Sequence, residues 1–295
     1  MTLLLLSFGL VAVALPAMRS RAIGADPRWF ARLSTVALSL GLVCVMAALA
    51  TSATIGALHA VTRVADDPAT HLAPEGIVGA CVSAILLTLM LIRGATIALR
   101  ARRVRRDARA EGWLGEHRND GSHDLVVLPT ERLFAYSVDG RDPQIVVSQG
   151  LRRMLDDDFY GFVIDHERAH LRAGHRRSLL IATVVEGLLP FFPFASQSSM
   201  ALRVAVERAA DEDAAGEEPA RRRRLANDMV RVSSRARVAC GSELTVFRAE
   251  NLTACPRSSR GGVAVALAGL VTLFAGALAV LAHATGDVSP YLALL

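Results

Sequence analysis

The chain has 295 residues, is 52% hydrophobic, and carries a formal net charge of +5 with a mean hydropathy of +0.36. Apolar and charged residues each fall in blocks, which excludes an ordinary soluble enzyme and points to a membrane protein. All 33 basic residues are arginine, as a G+C-rich coding sequence would give, and membrane anchoring accounts for most of the excess charge without a nucleic-acid partner.

Four stretches approach the roughly 20 apolar residues that a bilayer crossing needs. They are 2–18, about 33–61, 76–99 and 262–283. The first lacks a basic leading segment and is followed by Arg19 and Arg21, the order of an uncleaved anchor rather than a signal peptide. Arginine bias then orients the chain. Arg19, Arg21, Arg28 and Arg32 follow the first stretch, and the loop after the second has Arg63 against Asp66, Asp67 and Glu75. Arg100, Arg102, Arg103, Arg105, Arg106 and Arg109 follow the third, Arg257 and Arg260 precede the fourth, and only Asp287 comes after it. The positive-inside rule places the region 100–260 in the cytoplasm and both termini outside. The expected division is a membrane domain with three spans over 1–99, a cytoplasmic catalytic domain over 100–261, and a fourth span with a short external tail over 262–295.

Within the cytoplasmic region, Asp124–Leu128 and 145–147 read as short strands, joined through a turn-rich segment at 137–143. An edge strand ahead of a metal-binding helix can hold an extended substrate across the metal. A helix follows. Asp156, Asp157 and Asp158 suit its N-terminus, and Phe159, Phe162 and Val163 start an apolar stripe that leads to His166 and His170. His166-Glu167-Arg168-Ala169-His170 spells H-E-x-x-H. Residues four apart share a helical face, so both imidazoles can reach one metal ion, and Glu167 stands beside it as a general base for water. Two core histidines would need no such glutamate.

The stretch 178–194 is apolar but is broken by Pro190 and Pro193 and contains Glu186. It reads as a helical hairpin that dips into the bilayer or packs on the spans, or as a buried core helix. For a third ligand, Glu207 is the leading candidate, with Asp211 four residues on to hold a ligand histidine by its second ring nitrogen. Glu186 and His175 remain competitors. The run Arg221–Arg224, after Glu217, Glu218 and Pro219, reads as a solvated helix start. The four cysteines form no C-x-x-C pair, which leaves a Cys240–Cys255 disulfide open but disfavoured in the cytoplasm.

With H-E-R-A-H and E-R-A-A-D together, the chain resembles the membrane-embedded zinc peptidases of the BlaR/MecR antirepressor type, and is similar to the HtpX-like and CAAX prenyl peptidases. The likeness spans about 120 to 260. Residues 145–151, with Ser148, Gly150 and Leu151, look like that family's lead-in to the metal helix, and 134–137 with Gly140 and Arg141 fit its approach. The resemblance implies one Zn2+ at His166, His170 and Glu207, Glu167 as general base, and a cytoplasmic protein substrate such as a transcriptional repressor. It also makes Arg203 a candidate to fix a carboxylate or the oxyanion. One departure is expected: only 284–295 follow the fourth stretch, with no room for a penicillin-binding sensor.

The expected fold is therefore a mainly α membrane protein with about four transmembrane helices and a cytoplasmic, mostly helical zincin-type domain holding a small β element. The expected function is a zinc metalloendopeptidase in a bacterial-type cell membrane. A non-catalytic signalling or scaffold protein is the alternative, and a transporter ranks lower because the spans hold few charges.

Overall fold

The computed structural model describes residues 6–7, 9–14, 26–66, 74–119, 123–236, 242–253 and 275–276. Two long helices come first, α1 (Pro27–Asp66) and α2 (Pro74–Gly112). Proline suits the first helical turn because its missing N–H has no partner there anyway. The hydroxyls of Thr35, Ser39, Thr51 and Thr54 bond back to carbonyls four residues earlier, so these polar groups are satisfied inside an apolar helix. The two helices run antiparallel, with Ser83 donating to Ser52 at 3.0 Å.

Pro27–Ala57 and Ile77–Gly112 are long and apolar enough to cross a membrane. They correspond to the second and third expected spans, with helical bounds that extend further at both ends. Of the first expected span, residues 6–7 and 9–14 are helical and pack on α1, where Gly9 and Gly41 approach closely. The fourth lies outside the described residues apart from 275–276.

A four-stranded sheet follows, built from β1 (Glu116–Asn119), β2 (Asp124–Leu128), β3 (Ala135–Val138) and β4 (Gln144–Ser148) in the order β1-β2-β4-β3. β2 and β4 are parallel and the outer pairs antiparallel. The strands expected at 124–128 and 145–147 are present. The segment 137–143 is corrected: Ser137 and Val138 continue β3, and the turn starts only after them.

β4 is buried along its whole length, which suits its Ile-Val-Val centre. On one face, Ile145 and Val147 join α3 (Gln149–Met154), α4 (Asp157–Ala173), α7 (Pro219–Ala236) and α8 (Ser242–Thr253) in one core. On the other face, Val126, Val138 and Val146 pack toward Ala108 of α2. The sheet is thus held between α4 and the arginine-rich extension of α2.

Between these parts lie α5 (His175–Leu188) and α6 (Pro193–Ala215). They form a helical hairpin broken at Pro190 and Pro193, packed on α1 through Leu38, Ala182, Val185, Leu202 and Val206. The apolar stretch 178–194 is accordingly most of α5, the hairpin turn and the first residues of α6, seated against the long helices.

Candidate metal centre

α4 is positioned from its first residue. The Asp156 side chain accepts from Phe159 N at 2.9 Å, and Asp157 and Asp158 fill the first turn, where carboxylates meet the positive end of the helix dipole. Phe159 and Phe162 stack with centroids 5.6 Å apart and sink into the core; burying each contributes about 1.5–3 kcal/mol. The same stripe carries His166 inward, 8% exposed. Gly174, at φ +63°, ends the helix in the left-handed conformation that favours glycine. The chain doubles back there, and His175 Nδ1 comes to 3.1 Å from His170 Nδ1.

Glu207 arrives from α6. His166 Nε2 and His170 Nε2 are 3.0 Å apart, and each lies 3.6 Å from an oxygen of Glu207. Ligand atoms around a tetrahedral zinc at about 2.1 Å are separated by roughly 3.4 Å, so these three donors fit such an ion. Together they are the described residues able to hold one. Glu186 and His175 fall outside this group. Glu186 pairs with Arg203, which also reaches Thr183; Arg203 therefore stands away from the metal donors. His175 instead braces the ring of His170 from behind.

Asp211, one turn beyond Glu207, lies 3.0 Å from His166 Nδ1 and is almost fully buried. A buried carboxylate needs more than one partner. Arg248 of α8 supplies it, with Nε and Nη2 at 2.8 and 2.7 Å from the two Asp211 oxygens, and Nη1 at 3.2 Å from Glu207. Sequence reading missed Arg248, a single arginine on a later helix without a motif around it.

The charges are set by this packing. Burial opposes a charge on His166, yet Asp211 and Glu207 outweigh it and push the imidazole up to about 9. Burial likewise opposes ionisation of Glu207, but His166 and Arg248 hold it down at about 2. His170 is lowered to about 4, chiefly by burial and then by its neighbour His166, so it presents a neutral ring. The two carboxylates thus draw positive charge to the point where the three donors meet, as a cation site requires.

Glu167 opens into a cleft of about 290 Å³ that it lines with His166, His170, Glu207, Tyr136 and Ser137. Burial raises its pKa, while His166 and a hydrogen bond from Ser137 pull it the other way. Ser137 belongs to β3, whose second edge pairs with no described strand. The Arg221–Arg224 run does lie at a helix start, in the first turns of α7, with Arg223 and Arg224 exposed; Arg221 and Arg222 are the correction. Arg222 is buried, bonding both oxygens of Glu212 and the Leu252 carbonyl, and Arg221 binds the carbonyls of Ala214 and Ala215. These two arginines close the C-terminal end of α6 instead of facing solvent. Of the cysteines, Cys44 and Cys81 are free thiols, and Cys240 and Cys255 lie outside the described residues.

A neutral imidazole, a second histidine on the same helical face, a carboxylate from another helix and an acidic group in the adjoining cleft are what metal-dependent hydrolysis of a peptide uses. The comparison with family models agrees with that class. The model of Peptidase family M48 matches residues 100–239, a little under half of the chain, and supports the M48 metallopeptidase family. The matched segment begins in α2 and includes the sheet, His166, Glu167, His170, Glu207 and Asp211, and it ends before Arg248. No curated protein and no solved structure matches the chain.

Proposed function

We propose that this chain is a membrane-embedded zinc endopeptidase that cuts a cytoplasmic or membrane protein. The observation that carries the reading is the meeting of His166, His170 and Glu207 at ligand spacing, with Glu167 in the same cleft. In this reading those three side chains hold the ion and Asp211, backed by Arg248, orients His166. Zinc in such a site supplies Lewis-acid polarisation of a carbonyl and of a water. Glu167 takes the proton of the attacking water and passes it to the leaving amine; burial favours its accepting a proton. The free edge of β3 pairs with an extended substrate and lays the scissile bond between Glu167 and the three donors.

The spans at 27–57 and 77–99 tie the enzyme to the bilayer, and the arginine-rich continuation of α2 puts the site on the cytoplasmic side. The resemblance to antirepressor peptidases supports a transcriptional repressor as substrate, with both termini and a fourth span as described from the sequence. Cleavage of casein by the purified protein in detergent tests the activity. It should stop with a zinc chelator and return when zinc is restored; cleavage indifferent to chelation would contradict the proposal.

A further inference from the structure

The α5–α6 hairpin ends in Leu189-Pro190-Phe191-Phe192-Pro193, and Phe191 is 98% exposed, with Phe194 43% exposed beside it. So large an apolar side chain, held out by a turn between two prolines, is left uncovered by the other described residues. Its height along the long helices identifies one. At Gly187 an added Cβ would sit 2.5 Å from Ile97, and at Gly94 it would sit 3.8 Å from Leu188, so the hairpin runs up α2 and its tip stands at about Arg93–Gly94.

That is where α2 changes character. From Ile77 to Ile92 it carries no charge, and Val78, Val82, Ile85, Leu86, Leu89 and Ile92 are all exposed. This stretch rises about 24 Å, close to a hydrocarbon core. Below it come Arg93 and then the arginine run from Arg100. The antiparallel pairing at Ser52 and Ser83 puts the same level on α1 near Gly41; below it the uncharged stretch of α1 runs on to Leu33 and packs against the hairpin through Leu38. The end of the uncharged stretch of α2 and an outward phenylalanine thus reach one plane together.

We propose that the hairpin tip is a bilayer-surface contact, with Phe191 seated in the lipid interface beside Arg93. The inference rests on the membrane reading above. It also fixes the height of the site. Glu207 is fourteen residues along α6 from Pro193, so the metal centre stands about 21 Å below the membrane plane. An extended peptide leaving the bilayer covers that distance in roughly six residues. The favoured substrate is then a membrane-anchored protein cut about six residues from the surface.

The test uses the full chain in vesicles of phosphatidylcholine and phosphatidylglycerol whose acyl chains are brominated near the headgroup. Three single-tryptophan proteins are compared: Phe191→Trp and Leu89→Trp, each with Trp29→Phe and Trp113→Phe, and a third retaining native Trp113. Bromolipid should quench tryptophan at 191 and at 89 and leave Trp113, at the far end of α2, unchanged. Quenching at 89 with none at 191 would overturn the hairpin contact while sparing the membrane reading. An unquenched but blue-shifted tryptophan at 191 would reveal a protein neighbour, such as a second copy, and would overturn it equally. Absence of quenching at 89 would remove the membrane reading and this inference with it.

Discussion

Helix α6 has two unlike faces. One turns Glu207 and Asp211 toward α4 and α8, where each carboxylate meets a histidine and Arg248. The other lays Ala195, Leu202 and Val206 against α1 in an apolar contact. The first face is held by directed, charged hydrogen bonds and the second by close packing. Damage to the first should alter chemistry and metal affinity, and damage to the second should alter stability and leave the chemistry of folded molecules intact.

The sharpest separation comes from Glu167. Its change to Gln removes a proton acceptor without touching a donor atom, so zinc content should hold while casein turnover falls about 100- to 10,000-fold, equivalent to roughly 3–5 kcal/mol. Glu207→Gln should instead lose zinc. On the opposite face, Leu202 is fully buried. Leu202→Ala should lower unfolding free energy by about 2–5 kcal/mol in thermal or denaturant melts, with zinc per folded chain unchanged. A loss of zinc there would mean that the two faces are coupled.

Arg248→Met tests the polar face from its outer side. It leaves Asp211 buried with only His166, and zinc affinity should weaken about 10- to 100-fold in a competitive chelator titration. Arg248→Lys keeps the charge but not the two-pronged contact and should fall between. The smallest effect belongs to the cap. Asp156→Ala exposes Phe159 N and should cost about 1 kcal/mol of stability, read as a small fall in melting temperature at unchanged zinc affinity.

The legible parts of this molecule are those where local period and chemistry agree. Asp156, Phe159, Phe162, His166 and His170 lie on one helical rhythm, so α4 and its inward histidines could be read directly. Glu207 and Asp211 share a face for the same reason, and both face the site in the fold. β1 was hidden because Glu-His-Arg-Asn has no apolar alternation; its pairing with β2 gives it strand form. β3 was obscured by the turn residues Gly140, Asp142 and Pro143 just after it. Arg248 and Arg222 were unreadable for another reason: a buried arginine is identified by what it neutralises, and those carboxylates come from α6, distant in sequence. The two apolar helices are alike in composition, yet α1 is partly buried by the other described residues and the apolar part of α2 is almost wholly exposed. Composition could not tell the inner helix from the outer one.

The central claim is a zinc ion held by His166, His170 and Glu207 and served by Glu167. Its most direct measurement is metal content and casein cleavage of the purified wild-type protein beside Glu167→Gln. One zinc per chain in both, with cleavage only by the wild type, is the predicted result. A wild-type protein that binds no metal when zinc is supplied would contradict it.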